Sequence, residues 1–187
     1  MSDHTLTERL QPSLLDRLTD DEPGNVKETR DSRVIDLRRL RDIIQRDLSW
    51  LLNTFDNSSL VDAEAYPNVI NSVLTYGVRE VAGEYATQNR AHMIRESIHR
   101  AIEKFEPRII KGTLAVLLRE NSALGKHVVT YDIAAEMWAQ PLPLELYLRS
   151  QVDITTGELR LERSSTAAAM TSTSTVAAIV KNTKKMP

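Results

Sequence analysis

The sequence predicts an α+β fold in which N-terminal helices pack on a small antiparallel sheet that ends in a β-hairpin, with flexible tails. Two observations support this prediction. Apolar residues recur at three- and four-residue intervals in the first part of the chain, whereas beyond Gly112 the period shifts towards two and β-branched residues become frequent. No strand–helix–strand alternation is present, so the pattern does not favour a doubly wound parallel sheet.

The composition is that of one globular domain. The 187 residues are 41% hydrophobic and 27% charged, a balance that supports a real core. The absence of cysteine excludes disulfides and thiolate metal sites and fits a cytoplasmic protein. The sequence contains no run of about 18 apolar residues, the length that a membrane-spanning helix needs. The N-terminus also lacks the apolar stretch of a secretory signal. A net charge of −2 gives no general attraction to nucleic acid.

Three regions follow from the distribution of residues along the chain. Residues 1–30 form an N-terminal arm, because acids and helix breakers cluster at 20–25. Residues 31–162 carry the periodic patterns and form the folded domain. Residues 163–187 are rich in serine, threonine and alanine, which provide too little apolar surface to offset the entropy of ordering, so a disordered tail is expected.

Three helices are predicted within the domain. The first begins at Asp31 or Ser32, either of which can cap it, and ends near Asn53. Its charged residues have mixed signs, which favours a solvated, salt-bridged face over a binding patch. A second, short helix is expected over 66–77, opened by Pro67 and stopped by Gly77, with Val69, Ile70, Val73 and Leu74 pointing inward.

The third helix follows capping side chains at 87–89 and ends near Phe105, because Pro107 disfavours helical geometry at Glu106. Beyond it, alternation predicts strands and a closing hairpin whose turn lies at 155–158. The predicted strand segments are 113–118, 128–133, 144–148, 152–154 and 159–161.

Catalytic and metal-binding motifs are missing from the sequence. The four histidines are His4, His92, His99 and His127. The two that share a predicted helix are seven residues apart, whereas a helical zinc pair is usually spaced i and i+4. No phosphate-binding glycine loop, dinucleotide fingerprint or serine nucleophile elbow occurs. We therefore expect no metal, no cofactor and no catalytic residue.

Glu106 is the one acid whose neighbours, Phe105 and Pro107, suggest burial. A glycosidase would need it to hold a proton at neutral pH and to act with a second placed carboxylate. The nearby cation Arg108 favours the ionised form instead, and no motif places a second acid. An enzymatic role is therefore disfavoured.

The tripeptide Glu106-Pro107-Arg108 has two structural interpretations. In the first, the helix stops, proline defines the corner, and the two charges bond each other or exposed backbone groups. In the second, the planar guanidinium of Arg108 points outward towards a carboxylate or a helix end of a partner. The residues alone leave both open.

Five segments stand out in order along the chain: Arg33-Val34-Ile35-Asp36-Leu37-Arg38-Arg39, Asp47-Leu48-Ser49-Trp50-Leu51-Leu52-Asn53-Thr54, Tyr66-Pro67-Asn68-Val69-Ile70-Asn71-Ser72-Val73-Leu74-Thr75-Tyr76-Gly77, Ile102-Glu103-Lys104-Phe105-Glu106-Pro107-Arg108-Ile109 and Pro141-Leu142-Pro143-Leu144-Glu145-Leu146-Tyr147-Leu148. Together with the closing hairpin, they resemble TssE, the family of type VI secretion baseplate subunits. The resemblance extends over roughly residues 10–162.

The resemblance implies a structural subunit of the baseplate wedge that docks on the core bundle of the other wedge subunits and helps to start the contractile sheath. Glu106, Pro107 and Arg108 match the family's Glu-Pro-Arg signature and are implied to bind that bundle. Sheath proteins are implied to add a strand to a free sheet edge, which we expect in the hairpin at 144–161. Neither a small-molecule substrate nor nucleic acid is implied, and a membrane is contacted only through the assembled complex.

Two alternatives accompany this interpretation. The family is similar to the small wedge subunit of contractile phage baseplates, so a phage-type particle is one alternative home. The label lysozyme-like, often given to the family, implies a peptidoglycan-cleaving glycosidase, for which Glu106 would be the acid. Under the baseplate hypothesis, Arg108→Ala should abolish partner binding while the domain stays folded.

Overall fold

The computed structural model describes most of the predicted domain and little of its tails. The predicted arm at 1–30 and the predicted tail at 163–187 lie largely outside the described residues. Those residues are 13–19, 23–24, 35, 37–80, 82, 87–119, 127–138 and 143–163.

Helix α1 spans Leu14–Leu18 and helix α2 spans Leu37–Leu52. The end of α2 confirms the predicted boundary near Asn53, whereas the predicted caps at 31 and 32 fall outside the described residues. One stripe of α2 enters the core, as its three- and four-residue spacing predicts. The buried residues are Leu40, Ile43, Ile44, Leu48, Leu51 and Leu52.

Helix α3 spans Gln88–Phe105 and confirms the predicted third helix. Thr87 caps it, since its hydroxyl accepts a hydrogen bond from the Arg90 amide at 3.2 Å. The helix ends before Glu106, whose φ of −112° and ψ of 84° are not helical. The following proline disfavours helical geometry at this position.

The sheet has four antiparallel strands in the order β1-β2-β3-β4, which confirms the predicted α+β fold. The strands are β1 at Ala115–Leu118, β2 at Val128–Met137, β3 at Leu144–Asp153 and β4 at Leu159–Arg163. In β2 and β3 every second residue is buried, so one sheet face covers the helices and the other faces outward.

The predicted short helix over 66–77 is wrong. Residues 67–71 form turns, and only Val73–Thr75 makes a single 3₁₀ turn. The side chain of Ser72 binds the Leu74 amide, and Thr75 binds the carbonyls of Ile70 and Ser72. These local bonds compete with helical ones, and a two-turn helix is too short to offset them without a buried face. Val73 and Leu74, expected to point inward, are exposed.

The side chain of Ser150 is buried in the centre of β3, and its hydroxyl has no hydrogen-bond partner among the described residues. We expect Ser150→Ala to raise the free energy of unfolding by about 1 kcal/mol, because the desolvation penalty of the hydroxyl is removed. Thermal unfolding monitored by circular dichroism measures the change. A clear loss of stability would show that the hydroxyl has a partner in solution.

Candidate functional site

The tripeptide predicted as a site forms a corner between α3 and the sheet. After Pro107 the chain joins the end of β2, where the Arg108 carbonyl accepts a hydrogen bond from the Trp138 amide at 2.7 Å. Ile109 forms a bridge with Met137. The corner is therefore held on both sides, by the helix end and by the strand end.

Glu106 and Arg108 form a two-pronged ion pair. Nε of Arg108 donates to Oε1 of Glu106 at 2.6 Å, and Nη2 donates to Oε2 at 2.5 Å. The Arg108 amide also donates to Oε1 at 3.2 Å. Glu106 is only 5% exposed, so the guanidinium neutralises a buried carboxylate in the geometry that suits a planar fork best.

This pair continues into a chain of five charges, which we call the charge chain: Glu106, Arg108, Asp47, Arg46 and Asp16. Nη2 of Arg108 also donates to Oδ2 of Asp47 at 2.8 Å. Oδ1 of Asp47 accepts from Nη2 of Arg46 at 2.7 Å. Arg46 donates two hydrogen bonds to the carboxylate of Asp16, at 2.6 and 3.0 Å. The charge chain connects the end of α3 with α2 and, through α2, with α1.

Contacts within the charge chain shift the pKa values of Arg108, Arg46 and Asp16 towards their ionised forms. Burial alone would lower the pKa of Arg108, but the hydrogen bonds and charge of Glu106, followed by those of Asp47, raise it above its ordinary value. The hydrogen bonds that Arg46 donates to Asp16 likewise raise the pKa of Arg46. In return, the hydrogen bonds from Arg46 lower the pKa of Asp16 to about 2. All three groups are therefore charged at neutral pH.

Aromatic side chains surround the charge chain. Tyr76 packs edge-on against Phe105 with ring centroids 5.2 Å apart, and burial followed by the charge of Asp47 raises the pKa of Tyr76. The guanidinium of Arg46 lies 4.8 Å from the ring centre of Trp50. Trp50 and Trp138 are both exposed. Exposed tryptophan beside arginine is a composition common at protein interfaces.

The three predicted site residues play different parts. Glu106 and Arg108 meet as an internal brace, which is the first of the two interpretations of the tripeptide. Pro107 is exposed and shapes the turn. Arg108 nevertheless keeps 28% of its side chain exposed, and its Nη1 group has no hydrogen-bond partner among the described residues. The same guanidinium therefore keeps a donor group for a contact outside the chain.

The sequence interpretation missed Asp47 and Arg46. It treated them as members of a mixed-charge solvated face, because their spacing within α2 gives no sign of a partner at Arg108, 61 residues away. One feature of the sequence could have indicated these two residues: opposite charges stand at the adjacent positions 46 and 47 of a helix that buries its other face.

The sheet edges differ in how well they are covered. The outward backbone groups of Leu159 in β4 are bound by the amide of Asn53, which accepts from the Leu159 amide at 2.9 Å and donates to its carbonyl at 2.8 Å. Gln45 donates to the Leu161 carbonyl at 3.0 Å. The hairpin at 144–161 supplies one edge of the sheet, because β4 is the last strand, whereas β3 is internal. Asn53 and Gln45 bind part of this edge.

The opposite edge belongs to β1. The Arg119 amide bonds the Thr130 carbonyl, so the alternation of an antiparallel ladder turns the backbone groups of Val116 and Leu118 away from β2. No described residue hydrogen bonds to those outward groups. Among the described residues, the outward backbone groups of Val116 and Leu118 in β1 thus have no hydrogen-bond partner, whereas in β4 those of Leu159 and the Leu161 carbonyl do.

The described residues lack both a metal-binding cluster and a membrane-spanning helix. They contain no group of three or more His, Asp or Glu side chains able to hold a metal ion. Among them, no helix has the length and hydrophobicity needed to cross a membrane. His92 and His99 lie on α3, where His99 faces Glu103 at 3.8 Å.

Comparison with known proteins gives a match to one protein family. The model of one family, described as baseplate wedge protein gp25, matches residues 38–142, which is more than half of the chain. The match contains nearly all of α2, the whole corner, α3, β1 and β2. No curated protein and no solved structure matches significantly. The match is consistent with the resemblance to TssE, the type VI homologue of the phage protein, and it shows a structural baseplate subunit. The chain belongs to the baseplate wedge protein gp25 family.

Proposed function

We propose that this chain is the wedge subunit of a type VI secretion baseplate, that it docks on the core bundle of the other wedge subunits in the cytoplasm, and that it helps to initiate the sheath. The observation that carries the docking proposal is the state of Arg108. Its Nε and Nη2 groups are engaged by Glu106 and Asp47, whereas Nη1 has no hydrogen-bond partner among the described residues and 28% of the side chain is exposed.

A guanidinium held in this way is preorganised for a partner. Its rotamer is set by three side-chain hydrogen bonds within the chain, so an incoming acceptor does not have to order it. Nη1 suits a carboxylate or the free carbonyls at the end of a partner helix. Exposed Trp138, whose amide binds the Arg108 carbonyl, adds apolar area at the same corner.

The contacts of Arg108 determine which substitution tests docking. Alanine would leave Glu106 buried without its cation and would mix folding with binding. Arg108→Lys keeps a positive charge beside Glu106 and removes the fork. We expect its affinity for the core-bundle subunits to fall about tenfold or more while the unfolding midpoint changes little. Binding is measured by calorimetry with the co-purified wedge subunits.

Arg149→Lys is the matched control. Arg149 also pairs with an aspartate, Asp132, at 3.3 Å, has a similar exposure, and lies on the outward sheet face away from the corner. Its substitution is expected to leave binding unchanged. If both variants bind with the same affinity as the original chain, Arg108 does not contact the partner and acts only as an internal brace.

We further propose that sheath proteins add a strand at β1. The outward groups of Val116 and Leu118 offer donors and acceptors to an extended segment. In β4, by contrast, Asn53 already binds the Leu159 amide and carbonyl, and Gln45 binds the Leu161 carbonyl. Sheath protein should therefore slow hydrogen exchange of the Val116 and Leu118 amides, read by NMR. Protection confined to β4 would contradict this placement.

An enzymatic role is the alternative function, and the geometry does not favour it. Both oxygens of Glu106 accept hydrogen bonds from Arg108, and Asp47, the next carboxylate along the charge chain, binds the same guanidinium. Neither acid is free to deliver a proton. Turnover of peptidoglycan that disappears in Glu106→Gln would establish the hydrolase instead. Pull-down from the native cytosol without any baseplate or sheath protein would indicate an unrelated adaptor.

A further inference from the structure

Helix α1 is a short, capped helix with its apolar side turned outward. Ser13 caps its start, accepting from the Asp16 amide at 3.4 Å, and Thr19 closes its end by donating to the Leu15 carbonyl. Its leucines lie at positions i, i+1 and i+4, which places them on one face. Leu14, Leu15 and Leu18 are 70%, 50% and 76% exposed.

The polar side of α1 faces the body of the protein. At about 100° per residue, Asp16 lies roughly 150° around the helix from the centre of the three leucines. The Asp16 side chain is largely buried, and Arg46 of α2 binds both of its oxygens. A surface helix normally buries its apolar face and exposes its charges. Helix α1 has the reverse orientation.

This orientation gains little for the isolated chain. A five-residue helix does not form stably by itself, and α1 contains no buried residue. An ion pair near the surface contributes little to stability. Three exposed leucines on a helix that is capped and held by a bidentate pair therefore form an apolar patch whose physical use lies in a contact outside the chain.

We propose that Leu14, Leu15 and Leu18, called the leucine face, dock into an apolar groove with an acidic rim on a neighbouring wedge subunit. This inference rests on the proposed baseplate function and adds a contact separate from Arg108. The Asp16–Arg46 pair sets the orientation of α1 before docking, so that the partner meets a formed helix rather than a flexible segment.

We infer the acidic rim of the partner's groove from the positive charge around the leucine face. Helices α1 and α2 together carry five arginines and three aspartates, an excess of two positive charges in a chain whose net charge is −2. Arg17 is exposed on α1 itself, and Arg39 is near enough to lower the pKa of Asp16. A second copy of the chain would bring two cationic surfaces together, so an acidic partner is favoured over self-association.

The test compares two variants of the full chain against the wedge subunits that co-purify with the original protein. The first is the double variant Leu14→Ser and Leu18→Ser. The control is Leu60→Ser, which changes an equally exposed leucine, 84% accessible, between α2 and α3. Because none of these side chains is buried, all variants should unfold at the same temperature. Only the double variant should bind about tenfold or more weakly.

The possible outcomes separate this inference from the proposed function. If the double variant binds like the original protein while Arg108→Lys binds weakly, the leucine face is refuted and the baseplate function stands. If the original chain binds no wedge subunit, the proposed function itself fails. A lower unfolding temperature of the double variant would make the leucines structural. Concentration-dependent dimers that the double variant abolishes would identify a second copy as the occupant. Each of these last two results, the lower unfolding temperature and the dimers, would also overturn the inference.

Discussion

Replacing Arg108 with alanine is expected to lower the free energy of unfolding by about 3 kcal/mol. The loss arises from Glu106, which is 5% exposed and would keep a charge without its hydrogen-bonded cation. Asp47 would lose its link to the end of α3 at the same time. Denaturant unfolding of the purified domain, followed by tryptophan fluorescence, measures the change.

A double variant identifies the cause of this loss. Adding Glu106→Gln to Arg108→Ala removes the unpaired charge, so part of the lost stability should return. The control is Arg160→Ala, which breaks an exposed pair with Glu158 at 3.2 Å and should leave the unfolding midpoint unchanged. If Arg108→Ala behaves like this control, the brace contributes no stability and the pair matters only for binding.

Gly77→Ala is expected to destabilise the domain by about 3 kcal/mol or more. Gly77 has a φ of 126°, and a Cβ built there would lie 2.2 Å from the Thr54 carbonyl oxygen. That same oxygen accepts a hydrogen bond from the Val78 amide at 2.8 Å, and Phe55 pairs with Val78 in a parallel bridge. The new methyl group must therefore separate the two backbones and break this pairing. Thermal unfolding measures the loss.

Gly112→Ala separates backbone strain from the steric clash. Gly112 also has a positive φ, 81°, but apart from its two chain neighbours no residue has an atom within 4 Å of a Cβ built there. It should cost only about 1 kcal/mol, the usual penalty of a left-handed non-glycine residue. Similar losses of stability at both positions would show that the backbones bridged at Phe55 and Val78 move apart without cost.

Local chemistry explains which elements were predictable. The start of α3 at Thr87 and its end before Glu106 depend on a capping hydroxyl and on the geometry before Pro107, both of which act over a few residues. The hairpin between β3 and β4 likewise depends on a short turn, where Gly157 adopts a φ of 76°. Signals of this kind are present in the sequence itself.

The segment between α2 and α3 shows where sequence patterns fail. Its apolar residues have helical spacing, but Val73 and Leu74 have no surface to pack against, and the bonds made by Ser72 and Thr75 prevail. Gly77 was interpreted as a helix stop. Its actual requirement is the close approach of Thr54, a neighbour that no local pattern reveals.

The sequence by itself determined the α+β order of elements, the corner at Glu106-Pro107-Arg108 and, through the ordered segments, the family. Three features depend on the tertiary structure. Asp47 and Arg46 extend this corner into the charge chain, and α1 turns its leucines outward. Asn53 and Gln45 bind backbone groups of β4, whereas no described residue binds the outward groups of Val116 and Leu118 in β1. The physical reason is range. Capping and turn preferences act between near neighbours, whereas ion pairs and edge contacts join residues that only the packing of α2 against the corner and the sheet brings together.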